Sequence, residues 1–341
     1  MAGVIAKRVL GSIGAVFGAS VIAFLIMRVL PGDPARLIVG PLAQHKSLVS
    51  AEEQLGINKS LFSQYWIFVK DFFTGEWGFS FSTGAPVKTL LVEKFPATIE
   101  LALAGAIATT IATIFFALLV TYRHRPVADR IVRFCAYVGF GTPPFFAALL
   151  MLIIFSTGLH WLPGPEGRLS QGFTAPPTVT HLYPIDSLLA GDWSTFVDSI
   201  EHLILPGLAL GLASWSFLVR LLRANLLEVS REPFLTVARG KGLSRWTAFR
   251  RHALPNAFLP TLTATGLMLG EFLAGSVLVE QIFNWPGVGQ LVLDAILKQD
   301  YAVVETFILL SAVLFVVVNL IVDLLYAVID PRVRVPSLAT A

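Results

Sequence analysis

The chain has 341 residues, of which 55% are hydrophobic and 14% are charged, whereas an average soluble domain has about 25% charged residues. Its mean hydropathy is +0.74, so the composition excludes a disordered chain and favours a membrane protein. The single cysteine, Cys135, cannot form an internal disulfide. The sequence also lacks the C-x-x-C and Cys/His clusters that hold zinc, iron-sulfur clusters or c-type haem.

Long apolar runs predict six transmembrane helices. A helix needs about 20 largely apolar residues to cross a hydrocarbon core roughly 30 Å thick. The fifth run is interrupted by Glu271, and the sixth by Glu305 and Asp323. The predicted spans are residues 9–30, 97–122, 131–160, 202–222, 253–280 and 302–329. We therefore expect an all-α polytopic membrane protein with a single transmembrane domain over residues 1–341.

The positions of Lys and Arg predict the orientation, because cytoplasmic segments next to spans are enriched in these residues. With both termini cytoplasmic, 16 of the 25 Lys and Arg residues fall on that face. The first run is too long for a signal-peptide h-region, so we expect an uncleaved first span. Segments 31–96, 161–201 and 281–301 are then external, and the basic loop 223–252 is cytoplasmic. The net charge of +3 thus reflects a cytoplasmic face, and we expect no nucleic-acid partner.

The long cytoplasmic loop has the pattern of two short helices joined by glycines. Pro233 suits the first turn of a helix, and Gly240 and Gly242 suit its end. Ser244 can cap a second helix, which Pro255 should close. The sequence therefore predicts a helix, a glycine hinge and a helix on the cytoplasmic surface.

The external segments differ in their patterns. Apolar residues between Leu61 and Phe73 recur at helical spacing, which predicts a helix at the membrane interface or packed on the bundle. The second external segment is rich in Gly, Pro, Thr and Asp, and we expect a loop with short turns there. In the third, the Pro and Gly residues of 283–289 should break the helix outside the membrane.

Small residues four apart predict close helix packing within the spans. The rows are Ala104, Ala108 and Ala112 in the second span, Gly207 and Gly211 in the fourth, and Gly266 and Gly270 in the fifth. In the third span, Pro143 and Pro144 remove backbone hydrogen bonds, so the freed carbonyls must be satisfied by protein or water. Such a break either lines a pathway or serves packing, and the sequence leaves both open.

Several kinds of chemistry have no residues to support them. The only Gly-Lys pair, Gly240-Lys241, lacks the upstream glycine and the following Ser or Thr of a phosphate-binding loop. The sequence has no H-E-x-x-H and no G-x-S-x-G motif. We therefore expect no catalytic residues, and no nucleotide, cofactor or metal bound by this chain.

Two acidic residues inside predicted spans need an explanation, because a charge there costs at least a few kcal/mol unless it is paired or hydrated. The carboxylate of Glu271 could meet a cation, such as a peptide α-ammonium group, in a water-filled path. It could equally have a buried partner on another helix. Asp323 could extend toward the cytoplasm or bond a neighbouring helix.

An ordered set of motifs resembles the dipeptide/oligopeptide branch of ABC-importer permeases. The cytoplasmic loop reads F-L-T-V-A-R-G-K-G-L over 234–243 and R-H-A-L-P-N over 251–256, similar to the EAA loop of that branch, usually T-A-R-A-K-G-L and then R-H-A-L. Val237 and Gly240 stand where the branch often has Ala. Further similar motifs are L-P-G-D-P-A at 30–35, P-A-T-I-E-L at 96–101, H-L-I-L-P at 202–206, V-E-Q-I-F-N-W-P-G at 279–287, N-L-I-V-D-L-L-Y at 319–326 and D-P-R at 330–332. Together they cover nearly the whole chain.

The resemblance implies a type I importer of the bacterial cytoplasmic membrane. Its partners would be a second homologous permease, two ABC ATPases that bind ATP and Mg, an extracytoplasmic substrate-binding protein, a short peptide substrate and membrane lipid. The residues implied at the ATPase-coupling contact are Thr236, Val237, Ala238, Lys241, Gly242 and Leu243, with Asp129 and Arg130 as a second candidate contact. Candidate residues for the substrate path are Glu271, Pro143, Pro144, Trp285 and Asp323.

Three alternatives stay open from the sequence. Nickel and glutathione permeases share nearly the same motifs, so the substrate class is less constrained than the architecture. An autonomous channel or secondary transporter would show inverted repeats or intramembrane charge pairs, and neither is clear. An intramembrane enzyme would need a Ser/His or paired-Asp arrangement, which is not evident.

Overall fold

The fold is that of a computed structural model, which describes residues 2–29, 58–122 and 125–329. The helices in chain order are α1 (Ala2–Val29), α2 (Leu61–Thr74), α3 (Val87–Tyr122), α4 (Pro126–Gly141), α5 (Pro144–Met151), α6 (Tyr183–Ala190), α7 (Trp193–Val229), α8 (Pro233–Gly240), α9 (Arg245–Ala248), α10 (Leu254–Gly275), α11 (Val277–Ile282), α12 (Val288–Leu297) and α13 (Tyr301–Ile329). Two π-helical stretches continue their neighbours: Leu152–Gly158 extends α5, and Phe249–Ala253 joins α9 to α10. The strands β1 (Phe79–Ser80) and β2 (Ala85–Pro86) pair in an antiparallel hairpin.

Four helical stretches in the described part are long and apolar enough to cross a membrane: α3, α7, Arg245–Ala274 and the Tyr301–Val322 part of α13. The extended α5 and α4 pass the same test together, which gives a fifth span if they form one broken helix. The first predicted span coincides with α1, whose described apolar stretch Ile13–Leu25 is shorter than a full span. The chain is therefore a mostly helical protein with four or five spans among the described residues.

The second and fourth predicted spans are the middle parts of two longer helices. α3 has 36 residues and α7 has 37, so each is about 54 Å long and extends beyond the hydrocarbon core. Asp192 caps α7 by accepting hydrogen bonds from the backbone N–H of Thr195 at 3.1 Å and from its hydroxyl at 2.6 Å. These bonds and those from Ser194 lower the pKa of Asp192 to about 2. The apolar runs in the sequence do not extend to the ends of α3 and α7, because the helical turns outside the membrane contain polar residues.

The predicted break in the third span is present. α4 ends at Gly141 and α5 begins at Pro144, and the helix axis turns by 113° between them. Pro143 has an extended backbone, with φ −60° and ψ 141°, because the ring of the following proline excludes the helical conformation. The span predicted as 131–160 is thus two short helices.

The prediction that Pro255 closes the helix starting at residue 245 is wrong. The helix continues through the π-helical stretch into α10, and Pro255 lies in the first turn of α10. The π-helical stretch ends with a bond from the backbone N–H of Leu254 to the carbonyl of Phe249, so the hydrogen-bond register changes directly before the proline, which has no N–H to donate. α10 ends instead at Gly275, and Ser276 separates it from α11.

Glycines allow the spans to pack closely, as their spacing predicts. A Cβ atom on Gly105 would lie 3.3 Å from the backbone oxygen of Gly207, and one on Gly211 would overlap the hydroxyl of Thr109. These contacts join α3 to α7. On α10, a Cβ atom on Gly270 would lie 2.7 Å from the ring of Phe315 on α13. The bundle therefore has fixed helix-to-helix distances in which even a methyl group is excluded.

The external segments contain more helix than their composition predicts. α2 confirms the predicted helix and packs on α1 through Tyr65, whose hydroxyl is 2.7 Å from that of Ser20. The segment expected as a loop over 161–201 contains α6 and the start of α7, and the third segment contains α12. These helices are stabilised by contacts distant in sequence, which local composition does not reveal.

Candidate functional site

The loop predicted to be cytoplasmic forms the expected helix, hinge and helix. Pro233 is the first residue of α8, and α8 ends at Gly240. Gly242 has a φ of +88°, a left-handed conformation that is costly for residues with a side chain. Ser244 caps α9 by accepting a hydrogen bond from the backbone N–H of Thr247 at 3.1 Å. The chain therefore turns at a glycine, and a new helix begins three residues later.

α8 has one buried face and one exposed face. Leu235 is 2% exposed and packs in a cytoplasmic cluster with Leu226 and Phe249. Val237 is 56% exposed and Phe234 is 41% exposed. Of the six predicted coupling residues, Thr236, Val237, Lys241 and Gly242 are exposed, and Ala238 and Leu243 are half-buried. The outer face of α8 thus offers apolar and basic groups to another protein.

Aromatic contacts connect this loop to the membrane helices. The ring of Trp246 lies 5.0 Å from that of Tyr122 at the end of α3, and Phe249 lies 5.2 Å from the same ring. The guanidinium of Arg245 lies over the Tyr122 ring at 5.5 Å. Since α9 is also continuous with α10, the segment that follows α8 contacts the end of α3 and leads directly into α10.

Asp129 and Arg130, the second predicted coupling contact, have different surroundings in the structure. Asp129 accepts two hydrogen bonds from Arg223 on α7, at 2.6 and 3.0 Å, and lies 3.2 Å from Arg133. This ion pair holds the start of α4 on α7. Arg130 is exposed. Asp129 therefore has a structural role, and only Arg130 is free to meet a partner in the described geometry.

The five candidate path residues do not form one site. Pro143 and Pro144 are exposed at the bend between α4 and α5, and Glu271 is exposed on α10. Trp285 is fully buried, and its indole N–H donates to the backbone oxygen of Ala97 at 2.8 Å. This burial and hydrogen bond place Trp285 in the core of the described bundle. Asp323 lies within α13, and its side chain is outside the described part.

Glu280 is a buried carboxylate that was not among the predicted site residues. It accepts hydrogen bonds from several segments around Trp285. Glu280 is 0% exposed and accepts hydrogen bonds from Thr98 at 2.8 Å, Ser276 at 2.7 Å and the backbone N–H of Gln290 at 3.1 Å. A Cβ atom on Gly289 would lie 2.8 Å from the same carboxylate. The turn therefore wraps around Glu280, and the glycines of this motif were the available sequence signal.

A second buried carboxylate fixes the external segment to α3. Glu100 is 5% exposed and accepts hydrogen bonds from the Arg168 guanidinium and from the backbone N–H of Tyr183 at 2.8 Å. Arg168 also donates to the backbone oxygen of His181 at 2.9 Å and lies 3.3 Å above the Tyr183 ring. No sequence pattern pairs Glu100 with Arg168, because they are separated by 68 residues.

Among the described residues, no group of three or more His, Cys, Asp and Glu could hold a metal ion. The described part of the chain therefore combines a bundle of long apolar helices, two buried carboxylates bonded to distant segments, and the short helix α8 with one exposed face.

Comparison with known proteins gives the class. Residues 110–335 match the family model of the binding-protein-dependent transport system inner membrane component, and residues 1–102 match the N-terminal model for such membrane components. The chain belongs to this family of inner membrane components, and it is a multi-pass membrane protein.

Relatives that align over nearly the full length indicate the branch of the family to which the chain is most similar in sequence motifs. The chain is 38% identical to the probable D,D-dipeptide transport system permease protein DdpB of Escherichia coli K12, over 97% of each chain. It is 36% identical to the dipeptide transport system permease protein DppB of Alkalihalophilus pseudofirmus, over 96% of this chain and 98% of the relative. The glutathione transport system permease protein GsiC of Escherichia coli K12 is 33% identical over 96% of this chain and 97% of the relative. The predicted resemblance to the peptide permease branch is confirmed.

Proposed function

We propose that this chain is one permease subunit of an ATP-driven importer that moves short peptides across the bacterial cytoplasmic membrane. The observation that carries the mechanism is the exposed helix α8, which is followed by a left-handed glycine and by α9, a helix that contacts α3 through Trp246 and continues into α10. The assignment of a peptide as the substrate rests on the similarity to the two dipeptide permeases.

The proposed assembly contains four further subunits. A second homologous permease completes the path, two ATPases bind ATP and Mg, and an extracytoplasmic binding protein delivers the peptide. This chain contributes six spans with both termini in the cytoplasm, and it contributes no catalytic residue. The exposed outer face of α8 would dock on an ATPase through Thr236, Val237, Lys241 and Gly242, with Ala238 and Leu243 at its edge.

The proposed mechanism is alternating access. When ATP binding closes the ATPase pair, α8 moves with the surface on which it docks, and α3 and α10 follow. The outward-facing arrangement is then favoured, and hydrolysis restores the inward-facing one. Each ligand shifts the equilibrium only by its different affinity for the two arrangements.

Glutathione import is the second candidate, because a glutathione permease is 33% identical over nearly the full length.

The test is uptake of a labelled dipeptide by cells with and without this chain, with the partner subunits intact. We expect uptake to disappear on deletion and to be competed by unlabelled dipeptides but not by glutathione or chelated nickel. Loss of glutathione uptake with dipeptide uptake unchanged would retain the architecture and reassign the substrate. Unchanged uptake of all three would contradict the proposed function.

A further inference from the structure

Glu271 lies within the stretch Arg245–Ala274, which is long and apolar enough to cross a membrane. It follows Gly270, whose missing side chain lets the ring of Phe315 pack against α10. Phe315 is halfway along α13, which runs from Tyr301 to Ile329. The carboxylate therefore lies about one turn before the end of α10 and beside the middle of α13, and the close contact with α13 fixes the helix that carries it.

The exposed face of α10 differs from the exposed face of α3. On α3 the exposed residues from 103 to 115 are all large and apolar, namely Leu103, Ile107, Ile111 and Phe115. On α10 the exposed residues within two turns of Glu271 are Leu267, Glu271 itself and Ala274. The α3 face suits lipid. The α10 face carries a carboxylate between apolar residues, and a charge facing hydrocarbon is costly, so this part of α10 does not.

Within the described part of the chain, the Glu271 carboxylate has no hydrogen bond or ion pair. A charged group facing hydrocarbon costs about 2.5–3.5 kcal/mol by insertion scales and more by simulation. The face therefore borders water or a cation that another molecule supplies.

We propose that Glu271 binds the α-ammonium group of the peptide as it passes through the importer. This inference rests on the proposed function of peptide import. Every unmodified peptide carries that cation, and a carboxylate accepts hydrogen bonds from ammonium donors. The neighbouring exposed groups, Leu267 and Ala274, add no second charge. A single hydrated ion pair is weak enough to release the substrate, as transport requires.

The experiment uses the whole complex in liposomes, with accumulation of a labelled dipeptide measured for the wild type, Glu271→Gln and Glu271→Asp. We expect the Gln variant to reduce uptake about two- to five-fold, the range that corresponds to a hydrated ion pair. The Asp variant should retain most of the activity. Glu93→Gln, which changes an exposed carboxylate on α3, is the matched control and should transport like the wild type.

A second measurement separates recognition from structure. The ratio of wild-type to Gln-variant uptake is compared for the free dipeptide and its N-acetylated form, at concentrations where both wild-type rates are measurable. The same binding protein delivers the peptide to the wild-type and the variant complex, so its preference between the two peptides cancels in this ratio. We expect the ratio to fall to about one for the acetylated peptide.

Three results would overturn the inference. They are equal ratios for both peptides, unchanged uptake by the Gln variant, and loss of the second permease when the Gln variant is purified. The last result would mean that the carboxylate pairs with a cation of the partner permease. Absence of any peptide uptake by the wild-type complex would instead contradict the proposed function.

Discussion

At the scale of single residues, the Glu280 carboxylate is the most heavily bonded buried charge near the external end of α3. Replacing it with alanine leaves the hydroxyls of Thr98 and Ser276 and the N–H of Gln290 without their acceptor. An unsatisfied buried donor costs about 1–3 kcal/mol. We therefore expect Glu280→Ala to lower the thermal stability of the purified permease in detergent, measured by the monodisperse fraction remaining after heating.

The control is Glu93→Ala, which removes an exposed carboxylate from the same region of the sequence as Thr98. It should melt like the wild type. If Glu280→Ala and Glu93→Ala retain the same monodisperse fraction at every temperature, the Glu280 hydrogen bonds do not stabilise the fold.

At the scale of elements, the glycine hinge after α8 is the proposed contact between this chain and an ATPase subunit. Gly242→Trp places a bulky side chain on the exposed surface and at a φ of +88°, where a residue with a side chain is strained. We expect the variant chain to reach the membrane at wild-type levels but to lose peptide uptake and binding-protein-stimulated ATP hydrolysis. Wild-type uptake by a well-expressed variant would refute the assignment of this loop as the coupling contact.

Gly240→Ala is the matched control for the hinge. A Cβ atom there meets nothing within 4 Å, and its φ is not in the left-handed region. Alanine also favours a helix relative to glycine by about 0.8–1 kcal/mol. The control should transport like the wild type.

The packing of α3 on α7 gives another prediction at this scale. Gly211→Leu cannot be accommodated, because even a Cβ atom overlaps Thr109. We expect a large loss of folded protein, measured as the monodisperse fraction after extraction. Ala224→Leu adds the same bulk at an exposed position of α7 and should be tolerated. Equal yields from both variants would contradict the close helix contact.

The elements also show what the sequence can and cannot predict. Pro233, Gly242 and Ser244 predict the cytoplasmic hinge because caps and left-handed turns depend on a few neighbouring residues. The continuation of the helix through Pro255 depends on a π-helical stretch that has no sequence signature. The bonds from Thr98 and Arg168 to buried carboxylates join residues 182 and 68 positions apart, so they arise only from tertiary packing.

At the scale of the whole molecule, the charge distribution predicts a topology that a labelling experiment can test. Cys135 is the only cysteine, so Cys135→Ser gives a background free of thiols. Gln171→Cys then places one thiol in the exposed part of the second external segment, and Arg239→Cys places one on α8. Because the excess of Lys and Arg puts α8 on the cytoplasmic side, a membrane-impermeant maleimide should label the first variant in intact cells and the second only after lysis. The opposite pattern would invert the orientation and remove α8 from reach of any cytoplasmic ATPase.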